Sequence, residues 1–264
     1  MMSQHEEVSV EDRRETVKTV LEEVWTLFDE VQDFIIPNPK EADGAFQKKA
    51  KPDFLQRAEQ LVIHTENSST DPLVHATLPQ IVRMVESCSL CPLSETRNHA
   101  VPGVGMANAR LMVIGEGPGA DEDASGEPFV GKAGKYLDSW LNAIHLNRAQ
   151  DVFITNIVKC RPPQNRNPHP AEANACIPYL KRQISLVKPD VILCVGKVAA
   201  NYLLQCDHAL HTMRSTIYRH EGIPVVVTYH PAAVLRNLDL RKPVWEDLKR
   251  VAQLIDIPIA TTKA

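Results

Sequence analysis

The sequence predicts an α/β fold with three layers, in which helices cover both faces of a four-stranded parallel sheet. Two observations lead to this prediction. From residue 110 onwards, short apolar runs alternate with stretches in which apolar residues recur at helical spacing. The runs also lack the apolar–polar alternation of a half-exposed strand, so both of their faces are expected to be buried. A helical N-terminal extension is expected to precede the sheet.

The predicted strands and helices alternate along the chain. The strands are apolar runs at residues 110–114, 152–158, 191–195 and 223–229. Helices are predicted where apolar side chains recur every three or four residues. They cover residues 77–87, 132–146, 170–187, 197–205 and 243–255. Because a helix lies between successive strands, the strands are expected to pair in parallel.

The chain is predicted to divide into an N-terminal extension, residues 1–75, and a globular domain, residues 76–264. Apolar residues at helical spacing predict an amphipathic helix at residues 10–35. Its polar face is mostly acidic and would be repelled by phosphate, so packing on the domain or docking of an unidentified protein is expected instead. Prolines and a polar run predict a linker at residues 36–75, with a short helix near residues 53–64.

Composition and charge limit the classes of function without choosing one. The 264 residues are 44% hydrophobic, as in a globular protein, and carry a net charge of −4. This charge does not indicate a nucleic-acid-binding protein. It does not exclude one either, because residues 159–166 and 236–250 are locally basic.

The sequence gives no sign of a membrane or of secretion. No stretch approaches the roughly 20 apolar residues of a membrane helix, and the N-terminus lacks the basic and apolar regions of a secretory signal. We therefore expect a cytoplasmic protein with no membrane partner, whose thiols stay reduced. It is also expected to be a monomer. Its six cysteines are then expected to be metal ligands or core residues rather than disulfides.

Four of the cysteines form two widely separated pairs that could hold a metal centre. Cys88 and Cys91 form a C-x-x-C pair, and Cys160 and Cys176 follow much later in the chain. Zinc and an iron–sulfur cluster are both open to four thiolates on spacing alone. The long spacing between Cys160 and Cys176 disfavours a zinc ribbon, which would use a second C-x-x-C pair. The other two cysteines are expected to be core residues.

A glycine-rich loop follows the first predicted strand, with the sequence GEGPG at residues 115–119. It is not a phosphate-binding loop, because no Gly-Lys-Ser/Thr follows it. No helix is expected to open at its third glycine, which argues against a dinucleotide-binding loop. Glu116 lies between two glycines at the strand end. Its carboxylate is either a solvated turn residue or a group directed into a cleft, where it could orient water or stabilise positive charge.

Two further polar residues lie at the ends of predicted strands. Asn156 interrupts an apolar run, and its amide offers both a donor and an acceptor that could read the edge of a base. His230 follows the last strand and is expected to begin a loop, where its imidazole could stabilise negative charge on a leaving group. Either residue could instead have a purely structural role.

Taken together, several motifs resemble the family four uracil-DNA glycosylases, which contain an iron–sulfur cluster. The resemblance covers about residues 85–255, and its motifs occur in the family's order. They lie at residues 88–91, 115–123, 127–134, 155–163 and 230–236. Two positions depart from the family pattern, because Lys132 stands where many members carry Arg and Ser215 stands where Gly is common.

The resemblance implies excision of uracil from single- or double-stranded DNA after the nucleotide is flipped out of the base stack. Glu116 would lie beside the attacking water and the sugar, and His230 would stabilise the uracil anion at O2. Phe129 would stack on uracil, Asn156 would pair with O4 and N3–H, and Glu122 would fill the space of a thymine methyl group.

The resemblance also implies roles outside these contacts. A second polar residue near the sugar and water corresponds to Asn165, and Gly117 belongs to the uracil-binding loop. The residues implied to contact DNA are Arg161, Ala233, Leu235 and Arg236. A [4Fe–4S] cluster with a structural role would be held by Cys88, Cys91, Cys160 and Cys176.

Two other functions remain open at this point. The chain could be a uracil- or DNA-binding iron–sulfur module of the same fold that turns over poorly. It could also be a zinc protein with nucleotide-hydrolase activity, although that function leaves Asn156 and His230 unexplained. The presence of Glu116, Asn156 and His230 together favours the glycosylase.

Overall fold

A six-stranded mixed sheet forms the centre of the structure, a computed structural model that describes residues 71–259. Its strands follow the order β1-β3-β2-β4-β6-β5. Their bounds are β1 Val104–Gly105, β2 Leu111–Gly115, β3 Val152–Asn156, β4 Val191–Val195, β5 Tyr218–His220 and β6 Ile223–Thr228. The helices predicted at residues 10–35 and near 53–64 lie outside the described residues, as does all but the last five residues of the linker predicted at 36–75. The division of the chain into two parts stays a prediction.

The four central strands are the predicted ones, and they pair in parallel as expected. The prediction of four strands was nevertheless incomplete, because two short antiparallel strands flank them. Strand β1 pairs with β3, and β5 pairs with β6 through a tight turn at Gly222. These edge strands have only two and three residues, too few for a recognisable pattern of side chains.

Helices cover both faces of the sheet, as the three-layer prediction requires. Five of them match the predicted helices with small shifts of their ends. The bounds are α1 Leu78–Glu86, α2 Leu93–Thr96, α3 Ala120–Ser125, α4 Lys132–Ala143, α5 Arg148–Asp151, α6 Pro170–Val187, α7 Lys197–Leu204, α8 Leu210–Met213, α9 Pro231–Arg236 and α10 Arg241–Leu254, with 3₁₀ turns at Pro163–Asn165 and Leu238–Leu240. No helix within this part of the chain has both the length and the apolar character needed to cross a membrane.

Two short helices contradict expectations from the sequence. Helix α3 opens directly after the third glycine of the GEGPG loop, with Gly119 as its N-cap, although no helix was expected there. Helix α9 begins where a loop was expected after the last strand, and His230 is its N-cap. Each has six residues, so neither is long enough to show helical periodicity. Pro231 at the first position of α9 is nevertheless a recognised helix-start signal.

Successive residues of the central strands belong to opposite faces of the sheet. Met112 and Ile114 pack in a cluster with α1, α6 and α7, whereas Leu111 and Val113 pack in a second cluster with α4 and α10. All four are fully buried. Burial of both faces explains why the strands appear in the sequence as continuous apolar runs. It also leaves the strand ends as the places where polar side chains can meet.

Candidate active site and cysteine centre

A pocket of about 400 Å³ opens at the carboxyl ends of β2, β3 and β6. This edge is where α/β sheets commonly place their ligands. Several of the residues singled out in the sequence line this pocket. They are Glu116, Gly117, Glu122, Phe129, Asn156, Asn165, His230 and Arg236.

Glu116 lies at the first residue after β2, with its carboxylate at the pocket wall. Burial raises the pKa of Glu116 from its ordinary value to about 6. Its side chain takes part in no ion pair among the described residues. A half-buried carboxylate without a fixed cation is free to stabilise positive charge on a bound molecule or to orient water.

Asn156 ends β3 directly opposite Gly115, its register partner at the end of β2. A Cβ atom at Gly115 would lie 2.3 Å from the amide oxygen of Asn156 and 2.7 Å from the ring of Phe129, so only glycine fits. The amide oxygen of Asn156 is buried and has no hydrogen-bond partner among residues 71–259. Buried acceptors are rarely left unpaired, and this one can accept a hydrogen bond from a molecule bound in the pocket.

Phe129 enters the pocket from a backbone conformation that is unusual for a side chain of its size, with a φ of 53°. Gly134 makes this possible, because a Cβ there would lie 1.8 Å from the carbonyl oxygen of Phe129. The guanidinium of Arg148 donates to that carbonyl at 2.9 Å and also to the carbonyl of Pro128, and it pairs with Asp138 at 2.9 Å. The surrounding chain therefore fixes the ring of Phe129 against the pocket.

Glu122 lines the same wall from helix α3. Its carboxylate accepts hydrogen bonds from three backbone N–H groups, at 3.1 Å from Gly119 and at 3.0 Å from both Val130 and Gly131. These bonds join the GEGPG loop to the segment that carries Phe129. The sequence did not indicate this role, and the exclusion of a thymine methyl group by Glu122 stays a prediction.

His230 faces the pocket as the N-cap of α9. Its Nδ1 accepts a hydrogen bond from the N–H of Ala232 at 3.2 Å, so in the neutral ring the proton lies on Nε2. Burial, and then the charge of Arg236, lower the pKa of His230 to about 4, against a smaller opposing effect of Glu122. The imidazole is therefore neutral near pH 7 and has one N–H to donate.

The loop after β3 brings further polar groups to the pocket. Arg161 donates from Nε to the amide oxygen of Asn165 at 2.8 Å, which leaves the NH₂ group of Asn165 available as a donor. Arg166 holds the loop by two hydrogen bonds to the buried Glu172, at 2.8 and 2.7 Å. Hydrogen bonding to Arg166 lowers the pKa of Glu172 to about 2, against the opposing effect of burial.

Three of the residues predicted to contact DNA do not line the pocket. Ala233 and Leu235 lie on α9, which lines the pocket through Ala232 and Arg236 instead, and Leu235 is 43% exposed. Arg161 is engaged with Asn165. Other lining residues were assigned no individual role from the sequence: Pro118, Gly119, Ala133, Pro162, Arg166, Asn167 and Ala232. Most are sequence neighbours of residues that were assigned one, which is the signal that could have identified them.

The two departures from the family pattern lie at the surface of the structure. Lys132 is exposed at the first position of α4, directly before the pocket-lining Ala133. Ser215 is also exposed, and its hydroxyl donates to the carbonyl of Thr212 at 2.8 Å.

The four cysteines of the predicted centre line one cavity. None forms a disulfide. Within residues 71–259, no three His, Cys, Asp or Glu side chains lie close enough together to hold a single metal ion. The donor set is four thiols, which suits soft metals and iron–sulfur clusters. The remaining two cysteines, Cys194 and Cys206, lie away from this cavity.

Two cationic side chains adjoin the cysteine cavity. Arg97 donates from Nη1 to the sulfur of Cys160 at 2.9 Å. Lys159 lines the cavity and is 1% exposed. Burial lowers the pKa of Lys159 to about 8, and the nearby Cys176 and Cys160 oppose this shift. The surroundings of the cysteines therefore favour an anionic occupant such as a thiolate-bound cluster.

The chain is similar to several known proteins. A family model described as the Uracil DNA glycosylase superfamily matches residues 102–249. A type-4 uracil-DNA glycosylase of Archaeoglobus fulgidus is 42% identical over 186 residues, or 67% of this chain and 93% of the relative. The type-4 enzyme of Sulfurisphaera tokodaii is 41% identical over 190 residues, covering 69% of this chain and 86% of the relative. That of Thermotoga maritima is 39% identical over 65% and 91% of the two chains.

Proposed function

Because this chain belongs to the uracil DNA glycosylase superfamily, and within it to the type-4 uracil-DNA glycosylases, we propose that it hydrolyses the N-glycosidic bond of uracil in DNA. The reaction leaves an abasic site, and its place is in DNA repair. One structural observation is the main support for the proposal. A neutral His230 with its proton on Nε2, a half-buried Glu116 and the unpartnered amide oxygen of Asn156 all meet in one pocket.

Recognition of uracil rests on Asn156 and Phe129. The unpartnered amide oxygen of Asn156 is the acceptor for N3–H of uracil, and the amide NH₂ is the donor for O4. Cytosine presents the reverse arrangement at this edge, so a buried group would be left unpaired. Phe129 supplies the stacking surface for the flipped base, and Glu122 fills the adjoining space.

Bond cleavage develops charge at two places, and the pocket has a group for each. Uracil leaves as an anion, and the Nε2–H of His230 donates to its O2. The sugar becomes positively charged at C1′, and the carboxylate of Glu116 stabilises it and orients the water that attacks there. Water adds its hydroxide to C1′, and its proton balances the departing uracil anion. In other enzymes, loss of one such donor to an anion costs about 3–4 kcal/mol of transition-state stabilisation.

Arg161, Ala233, Leu235 and Arg236 are the residues proposed to contact DNA at the rim of the pocket. Leu235 is an exposed apolar residue at the end of α9, which suits insertion into the space that the flipped base leaves. Arg236 adds positive charge at the same rim. The protein is further proposed to act as a cytoplasmic monomer, and the helix that the sequence predicts at residues 10–35 is proposed to dock a protein.

The cysteine centre is proposed to be a [4Fe–4S] cluster held by Cys88, Cys91, Cys160 and Cys176. Such a cluster would cross-link the loop after α1, the loop after β3 and helix α6, so its role would be structural. Support comes from the four thiols in one cavity and from the adjoining cations Arg97 and Lys159. Iron and sulfide analysis of purified protein, with zinc measured beside them, tests this assignment.

Uracil release from an oligonucleotide that contains one U tests the proposed function. Strand cleavage after alkali is scored beside matched oligonucleotides that contain C or T at the same position. Cleavage at U alone supports the glycosylase and the assigned base contacts. An iron-loaded preparation that cleaves none of the three would contradict it and point to a uracil- or DNA-binding module.

A further inference from the structure

The side chain of Lys159 lines the cysteine cavity and donates to the carbonyl of Asn156, a residue of the pocket. No step of the proposed reaction uses Lys159. It follows β3 by three residues and directly precedes Cys160. At 1% exposed, it is among the most deeply buried large side chains of the structure. Lysine is rarely buried to this extent without a specific set of partners.

Three oxygen atoms hold the ammonium group of Lys159. Its Nζ donates to the main-chain carbonyl of Asn156 at 2.6 Å, to the hydroxyl of Thr155 at 2.6 Å and to the amide oxygen of Gln183 at 2.9 Å. An ammonium group has three N–H donors. All three are therefore used, and one of them engages the residue that reads the base.

The acceptors of Lys159 are themselves fixed. The amide NH₂ of Gln183 donates to the carbonyl of Pro102 at 2.6 Å, and the hydroxyl of Thr155 donates to the same carbonyl at 3.2 Å. Thr155 and Gln183 are both almost fully buried. This network directs Nζ toward Asn156 and leaves the ammonium little freedom to turn elsewhere.

Within the described part of the chain, the opposite charge available to Lys159 comes from the cysteines. No ion pair within residues 71–259 includes Lys159. It does line the cavity of the four cysteines, whose thiolates in a loaded centre would supply negative charge. A buried cation is tolerated when opposite charge and hydrogen bonds surround it.

Asn156 is thus held on two sides. Strand pairing with Gly115 fixes its main chain within the sheet, and Lys159 binds its carbonyl from the cysteine side. We propose that Lys159 is a positioning residue that holds Asn156 in place for uracil recognition, and so links the cysteine centre to the choice of base. The proposal rests on the proposed function, because it assumes that Asn156 reads uracil.

Binding to two uncleavable DNA duplexes tests this proposal in the iron-loaded protein. One carries 2′-fluoro-2′-deoxyuridine, and the other carries a tetrahydrofuran abasic analogue at the same position. The ratio of their affinities isolates the contribution of the base. Lys159→Met removes the charge and all three hydrogen-bond donors but keeps a side chain of similar length. We expect it to reduce this ratio about ten-fold, as for loss of a hydrogen bond to a charged group, with unchanged affinity for the abasic duplex.

Lys181→Met is the matched control, since Lys181 is exposed on α6, the helix that carries Cys176. It should leave the ratio at the wild-type value. A wild-type ratio in iron-loaded Lys159→Met would overturn the positioning role. Equal weakening for both duplexes would also overturn it, since that result indicates a general structural defect.

A second variant serves if Lys159→Met does not yield iron-loaded protein. Thr155→Val keeps the shape of the strand residue and removes one of the three acceptors, so the same ratio should fall about three-fold. An unchanged ratio would then refute the proposal. The wild-type affinities test uracil recognition itself, separately from the positioning role of Lys159. A wild-type preference for the uracil duplex supports the proposed function even where both variants retain it.

Discussion

The imidazole ring of His230 faces the phenyl ring of Phe129 with 5.7 Å between the ring centroids and 31° between their planes. A base stacked between two rings would need about 7 Å, twice the contact distance between carbon atoms. Uracil therefore cannot lie face to face with both. It can stack on Phe129 only if His230 meets its edge, which is the geometry required for a hydrogen bond to O2.

Replacement of Glu116 by Gln should slow uracil release about 100-fold or more and change affinity for an abasic duplex little. The amide keeps the shape of the side chain but cannot stabilise a positively charged sugar. Single-turnover rates and duplex binding measure the two effects. A variant that releases uracil at the wild-type rate would show that the assigned role is wrong.

The pH dependence of the reaction should follow Glu116 rather than His230. Glu116, with a pKa of about 6, is ionised above that pH and loses its charge below it. His230, with a pKa of about 4, stays neutral throughout this range. The wild-type rate should therefore fall as the pH drops from 7 to 5, and the low rate of Glu116→Gln should stay nearly flat. A similar fall in Glu116→Gln would assign the titration to another group.

Replacement of His230 by Leu should slow uracil release about 100-fold at pH 7, because the departing anion loses its donor at O2. The slowing should be much smaller for a substrate whose leaving group is already stabilised, such as 5-fluorouracil in DNA. Comparing the two substrates in wild type and variant measures this difference. The same loss for both substrates would contradict the assigned role.

Replacement of Arg148 by Met should reduce kcat/KM about ten-fold. The main-chain carbonyls of Phe129 and Pro128 would lose their hydrogen-bond donor, and the phenyl ring would lose its fixed position. Arg182→Met is the matched control, because Arg182 donates to the carbonyl of Ala76, away from the pocket. Urea unfolding of both variants shows whether the loss reflects stability. If the control loses as much activity, Arg148 has no particular role at the pocket.

Replacement of Cys176 by Ser should lower the iron bound per chain and the free energy of unfolding. Cys206→Ser is the control, since Cys206 lies outside the cavity of the four cysteines. Iron and sulfide content and visible absorption distinguish the two variants. Equal iron content in the two variants would show that Cys176 is not a ligand of the centre.

Most of the sheet could be predicted from the sequence, but its edges could not. The central strands are buried on both faces, and burial produces continuous apolar runs such as the one that became β4. Strand β1 has only two residues, and Val104 is exposed, so no local pattern marks it. Its existence depends on pairing with β3, which is a tertiary relationship.

The candidate site shows the same division. Glu116, Asn156 and His230 were identifiable because each is a polar residue at the end of an apolar run. The positive φ of Phe129 and the reach of Arg148 to its carbonyl could not be identified, because they depend on contacts between segments distant in sequence. The neutral state of His230 is likewise a product of burial rather than of sequence.

The fixed conformation of the chain around Phe129 has a consequence for how the protein searches DNA. Glu122, Arg148 and Gly134 fix this ring in the protein alone, so the entropy of ordering the pocket is lost during folding rather than at each encounter with a base. Opening of the nucleotide then becomes the main energetic barrier to interrogation. Mispaired uracil opens more readily than paired thymine, so part of the selectivity of a rigid pocket resides in the DNA itself.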